Sequence, residues 1–249
     1  MTLRVYIGWD SREDLAYQVC RYSILNRASV PVRIVPLKHR ELRQQALFWR
    51  PWLTEGGGQM IDCIDGRPMS TEFAFTRFLV PHLALQDGAD WALFCDCDFL
   101  FRADVKALFD LAQGSGYAAM CVKHAHEPRD GEKMDGCQQT VYRRKNWSSL
   151  MLLNVKHPAV AALTPELVSQ RSGAWLHGLQ WLPDEAIGAL PESWNHLVGH
   201  SPGNDPKAVH FTNGGPWMTG YENVPFADEW RHEHAFLQNP RPSLRIAAE

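Results

Sequence analysis

Apolar residues in the first half of the chain alternate between strand-like runs and helix-like spacing. Segments 12–26 and 71–85 carry apolar residues at every third or fourth position, which predicts two helices, and Pro81 is expected to kink the second. Short β-prone runs lie at 3–7, 32–36, 91–95, 117–122 and 150–153. Strands that alternate with helices are typical of a sheet covered on both faces. The pattern therefore predicts an α/β fold.

The regular pattern weakens in the second half of the chain. Residues 124–146 are polar and contain glycine, which is more typical of a functional loop than of a core element. Short helices are expected near 158–171 and 184–189, and a short strand at 209–211. This half is therefore expected to consist of brief elements.

Composition narrows the class of protein. The 249 residues fit one large domain or two small ones. Hydrophobic residues make up 45% and charged residues 21%, which is ordinary for a soluble globular chain. Lys and Arg total 25 and Asp and Glu total 28, so the formal net charge is −3. This balance excludes a protein that is held to nucleic acid by bulk positive charge, and it leaves a local basic patch open.

The compartment is predicted from apolar runs and cysteines. No stretch approaches the roughly 18 apolar residues that a spanning helix needs, and the first apolar run is too short for a signal peptide. The six cysteines include no CxxC pair, which favours reduced thiols. We therefore expect a cytoplasmic protein without a transmembrane segment. Peripheral attachment to a membrane through a partner stays open.

The most informative motif is an acidic pair that follows an apolar run. Asp96 and Asp98 come directly after 91–95, where they can project into the crevice at the carboxyl edge of a sheet. Two hard oxygen donors there suit Mg²⁺ or Mn²⁺ beside a diphosphate. The alternative is a solvated acidic turn or a helix cap. Cys95 and Cys97 suggest a zinc site less well, because they would point to the opposite face and lack the usual zinc spacing.

Several motifs in order resemble glycosyltransferases of the GT-A fold, particularly the family 8 type that uses nucleotide-sugar donors. The matching segments are Val5-Tyr6-Ile7-Gly8-Trp9-Asp10 with Tyr17, Ser70-Thr71-Glu72-Phe73 with Arg77-Phe78, Phe94-Cys95-Asp96-Cys97-Asp98, Leu150-Met151-Leu152-Leu153-Asn154, Pro183-Asp184-Glu185, and His210-Phe211-Thr212-Asn213-Gly214-Gly215-Pro216-Trp217. Together they cover most of residues 3–217.

The resemblance implies a Rossmann-like fold with a mixed, mainly parallel sheet flanked by helices. It implies a single catalytic domain over 1–237, with a nucleotide-binding half at about 1–122 and an acceptor-side half at about 123–237. Residues 238–249 are expected to form an irregular tail.

The resemblance also implies a metal site. Asp96 and Asp98 would hold a divalent ion against the donor diphosphate, and His210 aligns with the family's late histidine ligand. Carboxylates with one imidazole suit Mn²⁺, whereas Mg²⁺, the alternative, prefers more oxygen. Taken alone, His210 fits a hydrogen-bonded strand histidine better, and it is the adjoining Gly-Gly-Pro-Trp sequence that favours a ligand.

Binding of the nucleotide-sugar donor is expected to involve residues in the first matching segments. Asp10 would accept hydrogen bonds from the base or ribose, and Gly8 would permit close backbone approach. The alternative role for Asp10 is a helix cap. Arg77 would face the donor, with an ion pair to Glu72 as the structural alternative.

The late motif carries no lysine, although the family commonly has one near this Pro-Trp end. The donor phosphate is therefore expected to meet the backbone N–H groups of Gly214 and Gly215, or another basic side chain. The segment Trp147-Ser148-Ser149 also departs from the family's small Asn-Ala-Gly segment, which leaves the sugar undefined. Trp147 is placed where it would narrow the pocket.

Catalytic residues are expected at Asp184 and Glu185, which match acidic or amide family positions near the sugar and acceptor. A carboxylate there would stabilise positive charge at the anomeric carbon or attack it. The alternative is the chemistry of a helix start, since Pro183-Asp184-Glu185 is a favourable N-terminal sequence.

The leading interpretation is a metal-dependent glycosyltransferase that uses a nucleoside-diphosphate sugar, with UDP as the expected nucleotide and retention implied by the family 8 resemblance. The acceptor is a glycan, a lipid-linked sugar or a protein, and no nucleic acid is involved. Two alternatives stay open. One is a non-catalytic module that binds nucleotide sugars or glycans. The other is a phosphatase of the haloacid-dehalogenase type, although Leu100 stands where that class normally has Thr or Val.

Overall fold

The computed structural model describes residues 2–124, 144, 146–203 and 205–238. The predicted loop at 124–146 and the predicted tail at 238–249 therefore lie almost wholly outside the described residues. The strands are β1 (Leu3–Gly8), β2 (Val32–Leu37), β3 (Trp52–Thr54), β4 (Met60–Asp62), β5 (Pro68–Met69), β6 (Trp91–Cys95), β7 (Phe99–Phe101), β8 (Ala119–Cys121), β9 (Leu150–Asn154), β10 (Ile187–Ala189), β11 (His196–Leu197) and β12 (Ala208–His210). The α-helices are α1 (Asp14–Arg27), α2 (His39–Gln44), α3 (Val80–Gln86), α4 (Lys106–Ala112), α5 (Pro158–Ala161), α6 (Pro165–Gln170), α7 (Gly173–His177) and α8 (Ala227–Gln238).

The main sheet has six strands in the order β10-β8-β9-β6-β1-β2. β1 runs parallel to β2 and β6, and β8 runs parallel to β10. β9 is antiparallel to β6 and β8. The predicted mixed, mainly parallel sheet flanked by helices is thus confirmed. β6 is a continuous apolar run, and β1 is apolar apart from Arg4 and its final glycine, because layers cover both faces of this sheet and bury most of their side chains.

A second sheet, ordered β11-β12-β7, continues from the carboxyl end of β6. The chain leaves the main sheet after Cys95, passes through residues 96–98 and enters β7, which pairs antiparallel with β12. A separate apolar cluster packs this sheet against α1 and α8, and includes Val19, Val209 and Trp230. The short segment 96–98 therefore joins two packed layers.

A third, antiparallel sheet of β3, β4 and β5 forms an excursion between β2 and α3. Its inner face is held by a buried ion pair between Arg50 and Asp62, with 2.7 and 2.6 Å contacts from the guanidinium to the two carboxylate oxygens. The same guanidinium donates to the carbonyls of Val168 and Arg171 in and after α6. The small sheet is thereby fixed against the second half of the chain.

Two predicted helices differ from the structure. Residues 72–75 form turns, a 3₁₀ helix covers Thr76–Leu79, and α3 begins only at Val80, so Pro81 starts a helix rather than kinking one. The predicted helix at 184–189 is a 3₁₀ turn at Asp184–Ala186 followed by strand β10. In the described part of the chain, no helix combines the length and apolar character that crossing a bilayer requires.

Candidate metal centre and cavity

The acidic pair lies at the carboxyl end of β6, as the sequence predicts. The backbone N–H of Asp96 donates to the Ser149 carbonyl at 2.9 Å, which extends the pairing of β6 with the start of β9. Both carboxylates are nearly buried, with 8% of Asp96 and 7% of Asp98 exposed. The motif therefore lies at the junction of the two sheets and is not a solvated turn.

His210 reaches the same point from β12. Its register partner is Phe99, so the antiparallel ladder sets the histidine beside the acidic pair. The ring stacks on Phe99 with centroids 4.4 Å apart, and its Nε2 lies 3.3 Å from Asp98 Oδ1. One ligand atom from each of Asp96, Asp98 and His210 falls within 4.8 Å of the others. The structure thus brings the three predicted metal ligands together.

This donor set suits a divalent cation. Two carboxylates and one imidazole nitrogen offer mixed oxygen and nitrogen ligands, which Mn²⁺ accepts readily and which Mg²⁺ uses less often. His210 Nδ1 is hydrogen-bonded to Asn195 Oδ1 at 2.9 Å, which leaves Nε2 facing the aspartates. Sequence reasoning missed Asn195, because nothing in its local sequence distinguishes it from any other asparagine.

Arg77 contacts the acidic pair directly. Its guanidinium lies 2.8 Å from Asp96 Oδ1 and donates to the carbonyls of Ser148 and Ala74 at 2.9 and 3.1 Å. The alternative ion pair with Glu72 is wrong, because the Glu72 carboxylate accepts hydrogen bonds from Ser11. Arg77 therefore orients one of the candidate metal ligands.

A cavity of about 440 Å³ opens beside these residues, a volume within the range of small-molecule sites. It is lined by Asp65, Arg67, Pro68, Met69, Ser70, Thr71, Ala74, Phe75, Arg77, Asp96, Asn146, Ser148, Ser149, Ser172, Gly173, Ala174, His177, His210 and Thr212. Of the predicted site residues, Arg77, Asp96 and His210 line it. The lining does not include Gly8, Asp10, Asp98, Asp184, Glu185, Gly214 or Gly215. Trp147, which was expected to narrow the pocket, is also absent from the lining, whereas Ser148 and Ser149 are present.

Asp10 is fully buried and already engaged. Its carboxylate accepts hydrogen bonds from the Arg12 guanidinium at 2.8 and 3.0 Å and from the Glu72 N–H at 3.0 Å. Burial alone would raise its pKa, but the hydrogen bonds and charge of Arg12 lower the pKa below the ordinary value. Helix α1 begins at Asp14, so Asp10 does not cap it. Contact with a nucleoside stays a prediction for this residue.

Gly8 lies against an aromatic ring. A Cβ added at this position would meet the ring of Phe73 at 2.4 Å. The close approach that the glycine permits in this structure is therefore to a packed side chain of the protein.

The late glycines form a turn that packs on itself. The Gly214 N–H donates to the Phe211 carbonyl at 2.7 Å, so that group is occupied. A Cβ at Gly215 would meet the Trp217 ring at 2.0 Å. Their predicted role in phosphate binding therefore gains no support from this geometry and stays a prediction.

Asp184 and Glu185 lie in an exposed 3₁₀ turn ahead of β10. The Asp184 carboxylate forms an ion pair with Arg144. Neither Asp184 nor Glu185 is among the residues that line the cavity. Their catalytic role stays a prediction.

The cysteines next to the motif are buried thiols. Cys95 and Cys97 are fully buried, and burial raises the pKa of both thiols well above the ordinary value. Cys95 lies 4.0 Å from Cys20, and Cys97 lies 3.5 Å from Glu13. Both side chains thus contact residues outside the group of candidate metal ligands.

Two further cavity residues were missed by sequence reasoning. Asp65 accepts hydrogen bonds from the Gly173 and Arg67 N–H groups at 2.7 and 3.1 Å. His177 contacts Ser148 Oγ through Nδ1 at 3.1 Å, and burial, with the nearby arginine charges, lowers its pKa well below the ordinary value. The Asp65-Gly66 dipeptide is a hairpin-turn signal that would have revealed the β4–β5 hairpin.

The fold is shared with solved glycosyltransferase structures. A bifunctional glycosyltransferase, WbbM, aligns over 94% of this chain and 50% of its own, with a TM-score of 0.61 and 17% identity. The glycosyltransferase GlyE of Streptococcus pneumoniae TIGR4 aligns over 93% of this chain and 60% of its own, with a TM-score of 0.58 and 15% identity. The chain thus spans only half to three fifths of these two proteins.

A galactosyltransferase, LgtC, solved with donor and acceptor sugar analogs, aligns over 94% of this chain and 95% of its own, with a TM-score of 0.55 and 13% identity. At these identities the likeness defines the fold, which is of the GT-A type.

Comparison by sequence gives one strong relationship. No family model matches the chain. Protein CDI of Arabidopsis thaliana is 48% identical over 236 residues, which cover 92% of this chain and 85% of that protein. The chain therefore belongs to the same family as Protein CDI of Arabidopsis thaliana.

Proposed function

We propose that this protein is a metal-dependent glycosyltransferase that moves a sugar from a nucleoside-diphosphate sugar, with UDP as the expected nucleotide, to a hydroxyl group of a glycan, a lipid-linked sugar or a protein. The observation that carries the proposal is the convergence of Asp96, Asp98 and His210 at a 440 Å³ cavity in a GT-A fold. Retention of anomeric configuration is part of the proposal through the resemblance to family 8.

The metal centre supplies electrostatic stabilisation. Held by Asp96, Asp98 and His210, a divalent ion, Mn²⁺ in this proposal, would neutralise charge on the departing diphosphate. The chain's own residues keep that centre in shape, because Arg77 holds Asp96 at 2.8 Å and His210 stacks on Phe99. Such a preorganised site stabilises developing charge without rearranging during the reaction.

The sugar side of the cavity is assigned by following its wall away from the metal ligands. From Asp96 the wall passes to Arg77 and Ser148, and His177 contacts Ser148 at 3.1 Å. The His177 ring packs on Phe75 with centroids 5.7 Å apart.

The wall ends at Gly173 and Asp65. A Cβ on Gly173 would lie 3.2 Å from both Phe75 and Asp65. In the described part of the chain, Asp65 is the one carboxylate besides Asp96 that lines the cavity. We assign Asp65 to the hydroxyl groups of the transferred sugar or the acceptor.

The direct test combines nucleotide binding with turnover. Wild-type protein, Asp98→Ala and the surface control Asp110→Ala are screened with UDP-sugars by thermal shift, with and without Mn²⁺. A ligand at one hundred times its Kd stabilises the folded state by about 2.7 kcal/mol. The wild type and the control should show an Mn²⁺-dependent shift, and Asp98→Ala should lose it. Equal metal-dependent binding in all three proteins would remove the basis of the proposal.

Turnover separates the enzyme from the alternatives. Release of UDP and labelling of an acceptor support transfer. Metal-dependent binding without transfer to a broad acceptor panel would instead indicate a binding module. Release of inorganic phosphate from phosphomonoesters would favour a phosphatase.

A further inference from the structure

A chain of buried hydrogen bonds runs from the candidate metal ligand His210 to the cavity wall. Asn195 Oδ1 lies 2.9 Å from His210 Nδ1, and Asn195 Nδ2 lies 2.9 Å from Ser149 Oγ. Ser149 Oγ in turn lies 2.7 Å from the Asn146 carbonyl oxygen. Asn195 is fully buried, and Ser149 and His210 are nearly so. The Asn195 amide group, the Ser149 hydroxyl and His210 Nδ1 therefore find hydrogen-bond partners within this buried network.

The Asn146 carbonyl, at the end of this series of hydrogen bonds, determines which group donates in each of the other bonds. The Asn146 carbonyl can only accept, so the Ser149 hydroxyl must point its proton toward it. The Ser149 oxygen is then an acceptor for Asn195 Nδ2, which turns Asn195 Oδ1 toward the imidazole. An amide oxygen also only accepts, so the proton of the ring must be on His210 Nδ1. With Nδ1 engaged in this way, Nε2 is the ring nitrogen that faces Asp98.

We propose that Asn195, oriented by Ser149, is a positioning residue that fixes His210 in the Nδ1–H form and thereby makes Nε2 a metal ligand. The inference rests on the proposed function, because a ring locked in this way has its purpose in holding a cation. An Asp98 oxygen, an Asp96 oxygen and Nε2 then lie within 4.8 Å of one another. Two carboxylates and a ring nitrogen with a fixed tautomer form a donor set that a divalent cation would satisfy.

The first experiment requires no metal. In ¹⁵N-histidine-labelled, metal-free protein, NMR records whether a proton is bound to the ring Nδ1 of His210, with the signal assigned by its loss in His210→Gln. We expect Nδ1–H in the wild type and loss of this signal in Asn195→Leu, which has similar size but no acceptor. A neutral wild-type ring with a bare Nδ1 and a proton on Nε2 would overturn the proposal.

The second experiment measures Mn²⁺ affinity directly, from the EPR signal of free Mn²⁺ titrated with protein. Asn195→Leu should bind Mn²⁺ about 10- to 100-fold more weakly, the usual effect of removing an outer hydrogen-bond partner. Asn195→Asp, which keeps an acceptor for Nδ1–H, should stay within a few-fold of the wild type. Asn154→Ala is the matched control, since Asn154 hydrogen-bonds the Tyr117 carbonyl at the opposite end of β9.

Ser149→Ala tests the positioning role without changing Asn195, so it still decides the question if the Asn195 variants fail to fold. It leaves the side chains of Asn195 and His210 unchanged but frees the Asn195 amide to turn over, so it too should weaken Mn²⁺ binding. Wild-type affinity in both Asn195→Leu and Ser149→Ala, or an equal loss in Asn154→Ala, would refute a positioning role. If the wild type binds no Mn²⁺, the metal part of the proposed function fails, whereas the Nδ1–H signal still decides the role of Asn195.

Discussion

Removing the Asp62 carboxylate is expected to destabilise the protein severely, because it would strand a buried cation. Arg50 has no exposed surface, and Asp62 is only 1% exposed. Four hydrogen bonds leave the guanidinium, two to Asp62 and one each to the carbonyls of Val168 and Arg171. The same group lies over the Phe75 ring, 3.8 Å from its centroid.

The magnitude follows from this burial. Breaking a buried pair by removing one partner costs about 3–5 kcal/mol, whereas exposed pairs contribute about 0–1 kcal/mol. Asp62→Leu should therefore remove a large share of a total stability that is about 5–15 kcal/mol for ordinary domains. The double variant Arg50→Met with Asp62→Leu removes both charges and should recover part of the loss. The exposed pair Lys106–Asp110 supplies the comparison, and Lys106→Met should cost less than about 0.5 kcal/mol.

The assay is urea unfolding followed by tryptophan fluorescence, with the free energy of unfolding extrapolated to water for each variant. A loss in Asp62→Leu no larger than that in Lys106→Met would refute the reasoning. The single variant Arg50→Met completes the cycle. A double variant that loses as much stability as Arg50→Met and Asp62→Leu added together would also contradict the reasoning, because the two sites would then be independent.

Three further outcomes are expected. Gly8→Ala should lose about 1–3 kcal/mol in urea unfolding, because its Cβ would overlap the Phe73 ring at 2.4 Å, and a neutral result would mean that the ring moves aside freely. Burial and nearby arginines lower the pKa of His177 in the folded protein. Below about pH 6.5 this histidine therefore binds a proton in the unfolded chain but not in the folded chain, so the free energy of unfolding falls as the pH drops. His177→Gln should reduce the slope of unfolding free energy against pH by up to about 1.4 kcal/mol per pH unit between pH 6.5 and 5. An unchanged slope would contradict a lowered pKa for His177. Asp65→Asn should raise the KM for sugar substrates in initial-rate assays while leaving Mn²⁺ affinity unchanged, and an unaltered KM would remove Asp65 from the sugar side.

The central strands were predictable from sequence because both of their faces are buried, which favours apolar residues at nearly every position. β6 is covered on both faces and appears as an unbroken apolar run whose limits match the prediction, and β1 is apolar apart from Arg4 and its final glycine. The prediction of a helix from residue 71 was wrong because tertiary contacts hold its first residues in a non-helical conformation. The Glu72 N–H donates to the Asp10 carboxylate, and Phe73 packs on Gly8.

Helix α8 was missed because a charged residue occupies one of its core positions. Its buried residues are Ala227, Trp230 and Glu233, and an acidic side chain at such a position hides the apolar stripe. Glu233 is tolerated there because Arg27 in α1 contacts it at 2.6 Å. Arg27 is 206 residues away from Glu233 in the sequence, so a local sequence pattern cannot reveal this ion pair.

The acidic pair was predictable because it directly follows an apolar strand, whereas His210 was predicted as a ligand only through the family resemblance. Their supporting residues were not, since Asn195, Ser149 and Asp65 act through partners far away in the sequence. A linear pattern records which residue is present, whereas the direction of a hydrogen bond is defined only in three dimensions.

The crossing of the chain between two sheets at residues 96–98 has a consequence for protein synthesis. A nascent chain that has emerged from the ribosome only as far as β9 carries both aspartates of the cluster, but His210 has yet to be made. The cluster is complete only when β12 docks beside β7. Fragments that stop before β12 should therefore lack the complete set of candidate metal ligands, however well their first sheet folds.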